Sequence, residues 1–158
     1  MATVIQVKDL IDDNFENFSM GLELDENEIN TIIEGVNNVL DLRDYLFGLP
    51  QAYDFDKCVE FVSYLNSFTS GNSSRATSSV LAFYAFENGD TITAQELANY
   101  VSENSPQYSF VKLLQRVIDA EWPASMLTEM RDELHDGVVE NITNADKKAN
   151  DEIDLYHT

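Results

Sequence analysis

The segment from Ser78 to Pro106 constrains the fold of this chain more than any other part of it. Small or conformationally special residues recur there at fixed offsets: Ala82, Gly89, Ala94 and Pro106. Alanines on two successive helices let the backbones approach closely, a glycine supplies the positive φ that ends a helix, and a proline cannot continue one. The spacing therefore predicts two helices joined by a tight turn at Gly89.

These offsets resemble one helix–turn–helix unit of the tetratricopeptide type. The bulky positions of that repeat hold Ser78, Ala85 and Ala98 here. Only one unit is visible, whereas stacked repeats need about three to bury a continuous core. Thr93 and Glu96 match a capping box that would fix the start of the second helix. We therefore predict a single tetratricopeptide-like hairpin and not a repeat array.

Apolar residues at helical spacing continue on both sides of this hairpin. Asp25 with Glu28 marks one helix start, Asp54 marks another, Pro50 ends a short helix, and Pro123 suits the first turn of the last one. The opening ATVIQV is the one place where a short strand remains an alternative to a helix. The pattern predicts an all-α protein, a single compact domain of about seven helices built around the hairpin.

The length of 158 residues suits one hydrophobic core. We assign residues 1–143 to a helical domain, with acidic N-terminal helices over 1–40 and a helical core over 41–143. Gly21 is expected to end the first helix, and Gly137 to bend or end the last one. Residues 70–74 (SGNSS) are expected to form an exposed loop. Residues 144–158 are predicted to be a polar, mobile tail.

The formal net charge of −20 is unevenly distributed along the chain. Residues 1–60 hold 14 acidic and 3 basic residues, residues 61–100 hold 3 and 1, and residues 101–158 hold 12 and 5. An acidic field of this kind repels nucleic acid and anionic lipid and favours basic partners, although it also serves solubility alone. We therefore expect no direct binding to nucleic acid or membranes, and the oligomeric state stays open.

No stretch of the sequence resembles a signal peptide or a membrane span, so a cytoplasmic location is expected. Cys58 is the single cysteine, which excludes an intramolecular disulfide. Because it lies in an apolar helical stripe, we interpret it as a small core residue and not as a nucleophile.

Four segments resemble the C-terminal helical part of an actinobacterial family, the domain of unknown function 4192. They are RDYLFGLP (Arg43–Pro50), CVEFVSYL (Cys58–Leu65), RATSSVLAFYAFENGD (Arg75–Asp90) and QYSFVKLLQRVIDAEWP (Gln107–Pro123). Pro106, Tyr108, Ser109 and the run Leu113–Trp122 follow the family's order of a Pro-x-Tyr-Ser turn and a leucine-rich helix. The resemblance covers roughly residues 40–125 and implies a helical core. Relatives also occur in actinobacterial phages, so it implies a bacterial or phage origin, and it implies no functional residue.

Residues with catalytic or metal-binding chemistry do not converge in the sequence. His135 and His157 have no Cys or His partner at zinc-ligand spacing, and no nucleophile elbow or phosphate loop occurs. The acids at Asp12, Asp13 and Glu16 lack the pattern of a calcium loop. We predict no catalytic residue, no metal and no cofactor, with a carboxylate-based enzyme kept as the third hypothesis.

With no catalytic or metal-binding residues predicted, binding to another macromolecule is the function that we expect. The first hypothesis is a non-catalytic interaction or regulatory module that binds a basic partner protein and that a phage could encode, because helical hairpins offer grooves for a partner's helix or peptide. The second is a nucleic-acid mimic that inhibits a host DNA-binding enzyme. The candidate surface consists of acidic residues near the two ends of the chain: Asp12, Asp13, Glu16, Glu23, Asp25, Glu26, Glu28, Glu129, Asp132, Glu133, Asp136 and Glu140.

Overall fold

A computed structural model describes the backbone of residues 2–157 and the side chains of residues 2–145. Over residues 2–157 the chain forms eight α-helices and two short 3₁₀ helices, at Leu49–Gln51 and Gly71–Ser74, and no strand. The α-helices are α1 (Val4–Ser19), α2 (Glu26–Asn38), α3 (Leu40–Phe47), α4 (Phe55–Asn66), α5 (Arg75–Glu87), α6 (Thr91–Asn104), α7 (Phe110–Asp119) and α8 (Ser125–His157). The all-α prediction is confirmed, and the opening ATVIQV is helical from Val4 onward. No helix in this part of the chain is long and apolar enough to span a bilayer.

The predicted hairpin is the structural centre of the molecule. Helices α5 and α6 pack against each other more extensively than any other pair, and α5 also contacts α2, α3, α4, α7 and α8. Ala82 and Ala94 are completely buried, as close backbone approach requires. Gly89 has φ of +81° in the turn between the two helices. Helix α5 is buried along nearly its whole length because other helices surround it.

The predicted start of α6 was wrong. The helix begins at Thr91, and Asp90 is its N-cap residue. The Asp90 carboxylate accepts the backbone N–H of Thr93 at 3.0 Å and the Thr93 hydroxyl at 2.7 Å. These bonds lower the pKa of Asp90. Because the Thr93 hydroxyl donates to Asp90, the Thr93–Glu96 capping box does not form.

Helices α1, α5 and α7 end in the same way, with a left-handed residue that closes the last turn. In α1 and α5 this residue is Gly21 or Gly89, which confirms that Gly21 ends the first helix. In α7 it is Glu121, with φ of 56°. The Glu121 N–H donates to the Ile118 carbonyl at 3.0 Å, and the Trp122 N–H donates to the Val117 carbonyl at 3.2 Å. These two bonds fix the position of Trp122.

Two connections differ from the sequence prediction. Residues 70–74 do not form a plain exposed loop, because the Gly71–Ser74 turn buries Ser74 and the Gly71 N–H donates to the Tyr100 hydroxyl at 2.8 Å. Helix α8 does not end at Gly137, and it continues to His157. Gly137 is exposed, and a Cβ atom added there would meet no neighbouring atom. The mobility predicted for residues 144–158 stays a prediction, because most of the side chains in this range lie outside the described residues.

Candidate interaction surface

The acids of the N-terminal half divide into exposed and internally bonded groups. Asp13, Glu16, Glu23 and Glu26 are exposed on or beside α1 and α2. Asp25 is exposed too, but its side chain caps α2 by accepting the Glu28 N–H at 3.1 Å. Glu28 is half-buried and accepts from the amide of the buried Asn14 at 3.3 Å. Asp25 and Glu28 therefore have structural contacts in addition to their charge.

Asp12 belongs to a partly buried polar cluster between α1 and α3. Its carboxylate accepts the Tyr45 hydroxyl at 2.5 Å and the Tyr53 hydroxyl at 3.3 Å, and it pairs with Lys8 at 3.0 Å. Burial, followed by the Asp12 charge and hydrogen bond, raises the pKa of Tyr53 to about 12. Burial and the hydrogen bond to Asp12 also raise the pKa of Tyr45. Asp12 thus joins elements of the bundle, and it is the candidate residue least available to a partner.

The five candidate acids of the C-terminal half all lie exposed on α8. They are Glu129, Asp132, Glu133, Asp136 and Glu140. Positions 129, 133, 136 and 140 share one face of a helix, because they repeat at intervals of three or four residues. Asp132 lies on another side, where its carboxylate accepts from the Gln51 amide.

The structure brings the two acidic ends together only in part. Helices α1 and α8 contact each other, and both Asp12 of α1 and Asp136 of α8 influence the charge of His135. In contrast, Glu23 and Glu26 line a shallow cleft beside Tyr64 of α4 and Phe68, which follows that helix. The candidate acids therefore do not form one continuous face.

Most of the described basic residues are engaged within the molecule. Lys8 pairs with Asp12, Arg43 with Asp44, and Arg131 with Glu87. Arg75 donates to the carbonyl of Asn72 in the turn before α5, and to the Asn37 carbonyl and the Asn38 amide oxygen at the end of α2. The exposed ones among residues 2–145 are Lys57, Lys112 and Arg116. Acids therefore far outnumber bases among the exposed side chains of residues 2–145.

An apolar groove runs between α7 and α8. We call it the α7/α8 groove and define it by Leu113, Val117, Trp122, Met126, Met130 and Leu134. Its outer part encloses about 270 Å³ and includes Glu129 and Glu133 in its lining. Leu113 and Met130 also line an adjoining cavity of about 200 Å³, which reaches Phe47 and Gly48 at the end of α3. The two cavities form one continuous depression along α8.

His135 closes the inner end of this depression. Its ring stacks on Tyr45 with centroids 6.0 Å apart, and its buried Nδ1 has no hydrogen-bond partner. A Cβ atom on Gly48 would lie 2.6 Å from that Nδ1, so only glycine fits opposite the ring. Burial lowers the pKa of His135; the charges of Arg131 and Lys8 act in the same direction, and those of Asp136 and Asp12 oppose it. His135 thus fills a packing position.

A buried ion pair anchors α8 to the bundle. The Arg131 side chain is 3% exposed and that of Glu87 is 5% exposed. Arg131 donates to Glu87 Oε2 at 2.8 Å, to Glu87 Oε1, and to the Phe47 carbonyl at 2.9 Å. Its guanidinium also lies 4.6 Å from the centre of the Phe47 ring. The sequence analysis missed this residue, although Arg131 stands four residues after Leu127 in the buried stripe of α8, where a charge needs a partner.

Among residues 2–145, no group of three or more His, Cys, Asp or Glu side chains could hold a metal ion. Cys58 is buried, and burial raises the pKa of its thiol to about 12, so it is un-ionised at neutral pH and packs as a core residue.

No family model matches this chain, and no match was found among curated proteins or solved structures. The resemblance to the domain of unknown function 4192 family is therefore untested and stays a prediction.

Proposed function

We propose that this protein is a non-catalytic interaction module that binds a basic partner protein. The proposal rests on the contacts that the basic side chains make within the molecule. Lys8, Arg43, Arg75 and Arg131 neutralise or satisfy internal groups, while acids such as Glu129, Glu133 and Glu140 project from the surface. A surface with this imbalance attracts basic proteins and speeds their association at low ionic strength.

The imbalance gives less support to the nucleic-acid mimic. A mimic needs carboxylates arranged in a line that follows a phosphate backbone. Exposed acids lie on α4 and α6 as well as on the helices near the chain ends, for example Asp56, Glu60, Glu96 and Glu103. Their spread over many helices favours general attraction of a basic surface over imitation of a duplex.

A carboxylate-based enzyme receives the least support. Such an enzyme would be expected to hold two carboxylates of different pKa in one cleft. The Glu87 side chain is 5% exposed, and its carboxylate is paired with the Arg131 guanidinium. This pairing supports a structural role for Glu87.

Affinity capture tests the proposal. The full chain is immobilised and exposed to an actinobacterial lysate at about 50 mM and about 300 mM salt, since exposed charges are screened more strongly at the higher concentration. The matched control carries Glu129→Gln, Glu133→Gln, Asp136→Asn and Glu140→Gln. We expect basic proteins, identified by mass spectrometry, to be captured at low salt and lost at high salt or with the control. Capture of acidic proteins, or capture indifferent to salt and to the substitutions, would contradict the proposal.

A further inference from the structure

We infer that the α7/α8 groove is the docking site for one amphipathic helix of the partner, with its basic residues directed toward the α8 wall. This inference rests on the proposed function and identifies where and how the partner binds. It starts from the apolar side chains of the groove that are exposed, namely Leu113, Trp122, Met126 and Leu134.

The groove collects large apolar side chains that a protein usually buries. Leu113 is 40% exposed, Trp122 49%, Met126 41% and Leu134 56%. These residues line connected cavities, whereas other exposed apolar residues such as Ile92 and Leu40 lie on different helices. Connected exposed apolar surface marks an interaction site more strongly than single exposed residues do.

The dimensions of the groove suit a helix. At a rise of 1.5 Å per residue, the stretch of α8 from Met126 to Val138 is about 18 Å long, which matches about three turns of a partner helix. Helices that dock in grooves insert side chains from positions i, i+3 or i+4 and i+7. The methionines at 126 and 130 are flexible and adapt to such side chains. Trp122, held by the turn at Glu121, closes the outer end.

The α8 side of the groove is acidic in its outer part. Glu129 and Glu133 line that side, and Asp136 and Glu140 continue their helical face. The exposed bases of α7, Lys112 and Arg116, line neither cavity. A bound helix therefore places lysine or arginine along α8. The net charge of −20 opposes both a second copy of this chain and an anionic membrane as the occupant.

Trp122 supplies a direct probe, because it is the only tryptophan in the chain. The ligands are three synthetic peptides of about 18 residues, which corresponds to about five helical turns. Two consist of leucine and lysine, and one consists of leucine and glutamate. The first has lysines and leucines at amphipathic helical spacing, the second has the same composition in shuffled order, and the third has glutamate in place of lysine. The full chain is titrated with each while Trp122 emission is recorded. Leu134→Gln tests the groove, with Met126→Gln as a second variant. Ile92→Gln is the matched control, since Ile92 is 75% exposed on α6.

We expect the amphipathic lysine peptide to shift Trp122 emission to shorter wavelength and to bind about tenfold more tightly than the shuffled peptide, a difference of about 1.4 kcal/mol. Leu134→Gln and Met126→Gln should each weaken that binding about tenfold, while Ile92→Gln should leave it unchanged. Glu129→Gln with Glu133→Gln should weaken it and reduce its dependence on salt.

The outcomes separate this inference from the proposed function. Equal, salt-dependent binding of the ordered and shuffled lysine peptides, without a Trp122 shift and without an effect of Leu134→Gln, would overturn the groove inference and leave the proposed function standing. Failure of both lysine peptides to bind at low salt would contradict the proposed function itself. Equal binding of the glutamate peptide, or self-association through the groove that Leu134→Gln abolishes, would overturn the basic helix as occupant.

Discussion

At the scale of single residues, Glu121 occupies a position that normally belongs to glycine. Its φ of 56° is unfavourable for a residue with a Cβ atom. Glu121→Gly should therefore raise the free energy of unfolding by about 0.5–1 kcal/mol. Urea unfolding measures the change. Gly89 occupies the equivalent position of α5, and Gly89→Ala should lower the free energy of unfolding by a similar amount. A fall in stability for Glu121→Gly would show that the Glu121 side chain makes a compensating contact.

The ion pair of Arg131 and Glu87 predicts strongly non-additive substitutions. Arg131→Met leaves the Glu87 carboxylate buried without a cation and should destabilise the protein by about 3–5 kcal/mol. Adding Glu87→Leu removes the unpaired charge, so the double variant should be more stable than Arg131→Met alone. Thermal and urea unfolding of the four proteins complete the cycle. Equal effects of Glu87→Leu in the presence and absence of Arg131 would contradict coupling between the two side chains.

His135 predicts a pH dependence with a definite sign. Its folded-state pKa lies below the ordinary value of 6.5, so the unfolded chain binds its proton more readily. The contribution of neutral His135 to the free energy of unfolding is therefore present above about pH 6.5, and it is lost as the pH falls through the folded-state pKa. Urea unfolding between pH 5 and pH 8 should show a steeper loss toward low pH for the native protein than for His135→Gln. Parallel curves would contradict the prediction.

The sequence predicted those helix ends that depend on a single residue. Gly21, Gly89 and the Asp25 cap follow from known preferences at helix ends, and the structure has all three. Glu121 was not predictable, because a glutamate has no preference for the left-handed conformation that it adopts at the end of α7. Asp90 displaced Thr93 as the α6 cap because an aspartate one turn earlier accepts both Thr93 donors.

At the scale of elements, the contact between α3 and α8 depends on the missing side chain of Gly48. A Cβ atom there would meet His135 Nδ1 at 2.6 Å. Gly48→Ala should destabilise the protein by about 1–3 kcal/mol, because the His135 ring must move and disturb its stacking on Tyr45. Combining Gly48→Ala with His135→Ala should cost less than the sum of the single changes. Additive effects in urea unfolding would show that the ring already moves freely.

Helical periodicity predicted the fold class, and the spacing of small residues predicted the hairpin, but neither predicted the groove. Leu113, Met126, Met130 and Leu134 repeat as a core stripe does, and a sequence cannot distinguish a stripe that is covered from one that is left open. The available covering helices decide this, and α3 reaches only as far as Phe47 and Gly48. The acids were visible in the sequence, whereas the role of Glu129 and Glu133 as groove lining required the arrangement of α7 and α8.

At the scale of the whole molecule, the net charge and the α7/α8 groove together explain how a basic partner binds in the proposed function. The folded chain directs its acids outward, engages most of its described basic residues internally, and leaves one connected apolar depression along α8. Electrostatic attraction brings a basic partner close, and apolar contact with the α7/α8 groove determines how it binds.

The most direct test is an amide NMR titration of the isotope-labelled full chain with the amphipathic lysine peptide. We predict that the largest shift changes fall on residues 110–138, including the Trp122 indole, and that they persist at about 150 mM salt, where exposed charge pairs are substantially screened. The acidic segment from Glu23 to Glu34 should change little. Shifts spread evenly over the exposed acids, with residues 110–138 no more affected than the rest, would contradict the account.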